Sequence, residues 1–290
     1  MSEDDNSAGR EGVTQGWAGR LGSDFHARLV AGLAMGAVAA VFTLSGVTPF
    51  AILVVLVALI VSWEWGRLVH GTEAGIVVAV LACTAALAGI LATFGFVGLA
   101  LLALPIGAIL ATLLSLGRNS AFSALGVFYT GLPAVALIWL RSDASLGLLA
   151  VIFLIVIVIT ADTAGFVAGR LLGGARLWRR VSPNKTWAGL LGALIASAIV
   201  GALFWFAVPD ASAVRLAVTG AVLALVAQAG DLAESALKRR FGAKDTSSII
   251  PGHGGVMDRI DGLVAAASAV GIAAIAIDVH SPARALLLGS

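Results

Sequence analysis

The sequence predicts an all-α protein, a polytopic transmembrane bundle of about nine helices, and three observations lead there. Of its 290 residues 60% are hydrophobic and 12% charged, with a mean hydropathy of +1.03, a balance outside that of soluble domains. Stretches of roughly 20 apolar residues, the length that a hydrocarbon core about 30 Å thick requires, recur along the chain. In lipid the backbone must be satisfied within helices or a closed barrel. Barrel strands alternate polar and apolar residues, whereas Val151 to Ile159 (VIFLIVIVI) is unbroken, so helices are predicted.

In chain order, residues 1–27 form a polar tail, acidic at positions 3 to 5 and unlike the basic start of a secretory signal. Spans are expected at Arg28–Leu44, Pro49–Trp63, Ala74–Phe94, Phe96–Leu116 and Phe122–Leu140, the third and fourth dividing near Gly95. Residues 28–144 therefore make an N-terminal transmembrane region. Spans at Ser145–Ala161, Trp187–Val208, Ala213–Gly230 and Gly262–Asp278 follow, and residues 145–290 make a C-terminal region with polar loops at 162–186 and 231–261. With nine spans, both loops fall on the side of the N-terminus. Of the 18 Lys and Arg residues, only Arg141, Arg215 and Arg284 lie on the other side. Cytoplasmic loops carry such an excess, which places the N-terminus and both loops in the cytoplasm; the membrane is expected to be a bacterial-type inner membrane.

Minor features have plain structural readings. The single cysteine, Cys83, excludes an internal disulfide framework and a thiolate metal cluster, and reads as a packing residue. Tryptophans 63, 65, 139, 187 and 205 lie near span ends, as interfacial anchors do. The GxxxG spacings Gly32/Gly36 and Gly165/Gly169 suggest helix packing. His26, His70 and His280 read as interfacial.

Chemistry concentrates in the second loop, DLAESALKRRFGAKDTSSIIPGHGGVMDRID. On continued helices Asp231 and Glu234 are one turn apart, and so are Asp258 and Asp261, giving two carboxylate pairs at the membrane edge. A charge at hydrocarbon depth costs about 2.5 to 3.5 kcal/mol on insertion scales, which favours a functional reading of these aspartates. Carboxylate oxygens without Cys or clustered His suit a hard cation, and Mg²⁺ binds through one or two carboxylates plus substrate phosphates. The turn at Pro251 to Gly255 leads into a helix start, where backbone N–H groups favour phosphate. Lys238, Arg239, Arg240, Lys244 and Arg259 add positive charge, although the first three also fit a plain interface marker. His253 fits either a catalytic turn or a hydrogen bond within the loop.

The first loop contributes Asp162 after one span and Ser182-Pro183-Asn184-Lys185-Thr186-Trp187 before the next. Ser182 fits either a helix cap, with Pro183 at the first helical position, or a substrate contact. Lys185-Thr186 lacks the glycines and the preceding strand of a nucleotide-binding P-loop, which excludes that fold. Asp162, an anion at the unfavourable end of a helix dipole, invites a cation partner.

The spacing S-x-L-K-R-x4-K-D followed by I-P-x-H-G-G-V-x-D-R-I-D, over Ser235 to Asp261, resembles the signature of the phosphatidate cytidylyltransferase (CDP-diacylglycerol synthase) family. The resemblance extends to Gly230-Asp231-Leu232 and Glu234, to Ser182-Pro183-x-Lys185-Thr186-Trp187, to Asp162-Thr163 and to Gly169-Arg170. It covers most of the C-terminal half, while the first five spans match only in being hydrophobic. The family often has Lys and Glu where this chain has Asn184 and Ala188, so neither position is assigned a role.

The resemblance implies a nucleotidyltransferase of phospholipid biosynthesis that joins CTP and phosphatidic acid to give CDP-diacylglycerol and pyrophosphate, with Mg²⁺ required and a second cation left open. In this reading Asp231 and Asp258 are metal ligands and Asp261 supports them, with Lys185 and Arg259 completing the catalytic group. Asp162, Ser182, Thr186, Glu234, Ser235, Lys238, Arg239, Lys244, Asp245, His253, Gly254 and Gly255 are expected to contact substrate. The partners are CTP, phosphatidic acid and membrane lipids, with no nucleic acid, and the sequence leaves a homodimer open. Three rival readings remain at this stage. A CTP-dependent lipid kinase would release CDP in place of pyrophosphate. An alcohol phosphotransferase is disfavoured because its DGxxAR motif is absent. A transporter should carry its carboxylates near mid-span.

Overall fold

The protein was analysed as a computed structural model that describes residues 32, 34–71, 75–250 and 254–289; the 1–27 tail and His253 lie outside them. Among the described residues, eight helices are long and apolar enough to cross a membrane: α2 (Val47–His70), α3 (Gly75–Thr93), α4 (Val97–Leu114), α5 (Ser120–Ser142), α6 (Gly147–Leu172), α7 (Trp187–Leu203, extended by a 3₁₀ turn to Phe206), α8 (Ala213–Arg240) and α9 (Met257–Ile277). The shorter apolar helix α1 (Ala34–Leu44) precedes them and α10 (Pro282–Leu287) follows. The chain is thus an integral membrane protein of the helical class. Helices α2 to α5 pack on one another, α7 packs between α6 and α8, and α9 joins the two groups by lying against both α8 and α5.

The sequence of α4 shows why these segments associate in lipid. Leu99, Leu102, Ile106, Ile109 and Leu113 recur every three or four residues and are exposed, while Ala100, Leu104, Gly107, Ala108 and Ala111 face inward. Helix α7 repeats the pattern, with Leu191, Ile195 and Ile199 outward and Gly189, Ala193, Ser197 and Gly201 inward. Lipid tails are as apolar as leucine, so association depends on close packing, which small residues permit. The GxxxG pair Gly165/Gly169 does this: a Cβ built on Gly189 would stand 2.7 Å from the Gly165 carbonyl oxygen. Among the described residues nothing lies within 4 Å of a Cβ built on Gly32 or Gly36.

Several expectations are corrected. The polar segments 162–186 and 231–261 begin as helix and not as loop, α6 running to Leu172 and α8 to Arg240. Both helices run on until glycines with positive φ stop them, Gly173 and Gly174 after α6 and Gly242 after α8, while Gly165 and Gly169 stay helical inside α6. Between α6 and α7 lies an antiparallel hairpin, β1 (Arg176–Trp178) paired with β2 (Ser182–Thr186). Ser182 begins this strand and so does not cap α7. That role falls to Thr186, whose Oγ1 accepts a hydrogen bond from the Gly189 amide at 3.0 Å. Span two continues past Trp63 to His70, and the third and fourth spans divide at Gly95, whose φ is +82°. Trp65 and Trp139 are core residues, with Trp65 donating Nε1–H to the Phe122 carbonyl at 2.9 Å, whereas Trp187 and Trp205 are exposed. Cys83 is exposed on α3.

At the end of the bundle opposite the polar segments, Asp143 links α5, α6 and α10. Its carboxylate accepts hydrogen bonds from the Ser145 and Leu146 amides at 3.0 and 3.1 Å, the Ser145 hydroxyl at 2.9 Å and the Ala283 amide at 3.3 Å. Partial burial raises the carboxyl pKa, but the hydrogen bonds from Leu146, Ser145 and Ala283 outweigh it and hold the group below the ordinary aspartate value. A depressed carboxylate stabilises the fold above its unfolded-state pKa, about 3.9, and loses that contribution as pH falls through the folded value. Asp143→Asn should therefore unfold at lower temperature than the parent at neutral pH in detergent. Melting curves taken at successively lower pH should converge through the aspartate range.

Candidate active site

Helices α6, α8 and α9 and the hairpin enclose a cleft of about 810 Å³. Of the residues the sequence singles out, it gathers Asp162, Lys185, Thr186, Asp231, Lys238, Asp245, Asp258, Arg259 and Asp261 on its walls. Arg170, Arg176, Asn184 and Gln228 line the same space. Ser182, Glu234, Ser235, Arg239, Lys244, Gly254 and Gly255 are not on the walls. Arg239 and Lys244 are exposed, and Ser235 donates its hydroxyl to Asp231 Oδ1 at 3.3 Å. Glu234 is buried behind Lys238.

Two lysines organise the carboxylates. Lys185, delivered by β2, places Nζ 2.6 Å from Asp231 Oδ2 and 2.9 Å from Gln228 Oε1. Gln228 in turn donates Nε2–H to Asp162 Oδ1 at 3.1 Å, so one turn of α8 connects the hairpin to α6. The cation partner expected for Asp162 is thus reached through an amide. Lys238 sits between Glu234 Oε1 at 2.9 Å and Asp258 Oδ1 at 2.6 Å. The second oxygen of Asp258 accepts from the Thr246 amide and hydroxyl, both at 3.0 Å, and from the Gly255 amide at 2.9 Å. Asp261 accepts from its neighbouring Gly262 amide at 2.7 Å. The two expected carboxylate pairs are therefore divided among different partners: Asp231 and Asp258 face the cleft, and Glu234 braces Lys238 from behind.

The cleft carboxylates stand before the ends of their helices. Asp162 lies ten residues before the end of α6 and Asp231 nine before the end of α8, roughly 14 to 15 Å along each axis at 1.5 Å per residue. Beyond Asp162, Phe166, Leu171 and Leu172 are more than 60% exposed, and Phe166 also lines the cleft. The site thus lies below the ends of α6 and α8, and its mouth reaches an apolar surface.

Sequence reasoning missed Gln228, Thr246 and Glu64. Glu64 carries a signal in the sequence, a lone carboxylate directly after the apolar run Pro49–Trp63, and it lies within α2 because that helix continues to His70. Gln228 and Thr246 belong to types too common to single out without coordinates.

A family model described as the cytidylyltransferase family matches residues 26–276. The chain is 36% identical over 258 residues to a phosphatidate cytidylyltransferase of Brucella suis biovar 1 (strain 1330), covering 85% of this chain and 92% of that protein. It is 39% identical over 144 residues to the phosphatidate cytidylyltransferase of Staphylococcus haemolyticus (strain JCSC1435), covering 49% of this chain and 54% of that one. A match that runs from the first span through α9 takes in every wall of the cleft, and on this basis the chain belongs to the cytidylyltransferase family.

Proposed function

We propose that the protein catalyses transfer of the cytidylyl group from CTP to phosphatidic acid, releasing pyrophosphate and forming CDP-diacylglycerol. The observation that carries this reading is the cleft itself, in which five aspartates stand among Lys185, Lys238, Arg170, Arg176 and Arg259 in a space opening beside apolar helix surface. A phosphate oxygen of the lipid attacks the α-phosphorus of CTP, forming one P–O bond as the bond to pyrophosphate breaks. The attacking group is already anionic, so neither a protein nucleophile nor a strong general base is required. Positioning and charge neutralisation supply the catalysis. The basic residues neutralise the phosphates, and the recessed floor keeps the acyl chains in lipid while the headgroup meets the nucleotide. The Lys and Arg asymmetry supports a cytoplasmic mouth, where CTP is available.

The donor set fits Mg²⁺. The cleft walls offer carboxylate oxygens, and among the described residues no three Asp, Glu, His or Cys side chains converge on one metal position. A cation that takes one or two carboxylates and completes its shell with substrate phosphates suits that arrangement. Asp231 and Asp258 would hold it, with Asp261 and Asp162 contributing negative charge nearby. When bound it would supply Lewis-acid stabilisation of the phosphates.

Detergent-purified protein given labelled CTP, phosphatidic acid and Mg²⁺ should yield CDP-diacylglycerol and pyrophosphate in equal amounts. Release of CDP instead would identify a lipid kinase. Asp231→Asn and Asp258→Asn should each lower turnover by about 10²-fold or more while the protein stays folded. Near-normal rates in both would remove them from the reaction.

Lys238 separates two carboxylates that are 0% and 4% exposed. Lys238→Met leaves those charges facing each other, a change of the kind that costs about 3 to 5 kcal/mol. A lowered melting temperature together with lost turnover is expected, in contrast to the folded but inactive Asp231→Asn.

A further inference from the structure

Glu64 is a carboxylate in the N-terminal half of the chain, on α2, with no accessible surface. It accepts three hydrogen bonds from the segment that returns α8 to α9: from the Ser247 hydroxyl at 2.5 Å and the Val256 amide at 2.9 Å on Oε1, and from the Met257 amide at 2.6 Å on Oε2. The two amides lie at the start of α9, where N–H groups have no intrahelical acceptor and the dipole favours an anion. Gly255 fits between the parts, since a Cβ there would stand 2.5 Å from Glu64 Oε1 and would also collide with Thr246 Oγ1.

The bonds of Glu64 interleave with those of Asp258. Thr246 donates to Asp258 and the next residue, Ser247, to Glu64. Gly255 donates to Asp258, and the next two residues donate to Glu64. Two carboxylates from opposite halves of the chain therefore grip one return segment from its two sides. Asp258 faces the cleft and Glu64 does not line it.

We propose that Glu64 is a positioning residue: from α2 it fixes Ser247 and the first turn of α9 at Val256 and Met257, and so sets the place of Asp258 in the cleft. This rests on the role given to Asp258 above. It also assigns the apolar N-terminal helices a part in the site, because α2 holds the second wall of the return segment. A carboxylate is suited to this because its two oxygens accept three donors at once. A glutamine in one flip state keeps the Oε1 bonds to Ser247 and Val256 and turns an amide group toward the Met257 N–H.

The test compares Glu64→Ala, Glu64→Gln and Asp258→Asn in the full-length detergent-purified protein by amide hydrogen exchange and by steady-state kinetics with CTP and phosphatidic acid. In Glu64→Ala, exchange across 255–258 should accelerate at least tenfold while the other helices keep their protection. Its kcat should fall at least tenfold with the KM for CTP changed less, and Glu64→Gln should lie between it and the parent. Asp258→Asn should lose turnover yet keep protection at Val256 and Met257. Unchanged exchange at 255–258 in Glu64→Ala would overturn the proposal. So would acceleration spread over all helices in both Glu64 variants, which would make Glu64 a general stability residue. The exchange arm is read even if the parent makes no CDP-diacylglycerol, so failure of the reaction and failure of the clamp are distinguishable.

Discussion

A carboxylate within a lipid-embedded bundle persists only where donors reach it, and this requirement organises the whole site. Asp231 is met by Lys185 at 2.6 Å, Asp258 by Lys238 at the same distance, and Asp162 by the amide of Gln228. Each donor comes from a different place: a β-hairpin, the last turns of α8, and a turn of α8 deeper in the bundle. Satisfying three charges thus joins the hairpin, α6, α8 and α9 into one unit. The close approach of α6 and α7 at Gly165, Gly169 and Gly189 serves the same end, because it brings the Thr186 cap, and with it Lys185 one residue earlier, against α6.

The fold class was legible because hydropathy in a membrane chain reports directly on burial in lipid, and each long helix coincides with an apolar run. The ends of α2, α6 and α8 were not legible from polarity. Polar residues such as Asp162 and Asp231 look like loop signals, yet lipid exposure ends on one face of a helix before it ends on another, and close packing on α7 carries ADTAGFVAGRLL on as helix despite its Asp, Thr and two glycines. Breakers marked the ends better: Gly173, Gly174 and Gly242 stand where α6 and α8 stop.

The site was legible in its residue types and less so in its wiring. Nine of the singled-out residues share one cleft because their motif brackets the ends of adjacent helices. Pairing was another matter. Helical spacing puts Asp231 and Glu234 one turn apart, but a turn of three residues rotates the side chain by roughly 300°, enough to send Asp231 to Lys185 and Glu234 to the far side of Lys238. Partners such as Thr246 and Glu64 are distant in sequence from the motif, or lie inside a tight turn, and only the folded chain joins them to it.

Recession changes how the site is told apart from a transport site. Carboxylates at helix ends would separate the two, but Asp162 and Asp231 lie two to three turns inside their helices. What distinguishes this cleft is the matching set of cations on its walls. A site built to pass a cation through the bilayer would be weakened by Arg170, Arg176, Lys185 and Lys238 beside it, whereas a polyphosphate requires such groups. Depth then follows from the chemistry of joining a lipid to a nucleotide: a phosphate tethered to acyl chains meets a soluble triphosphate only where the polar space descends to the level the lipid headgroup can reach. The exposed Phe166, shared by the cleft wall and the outer surface of α6, stands where those two environments meet.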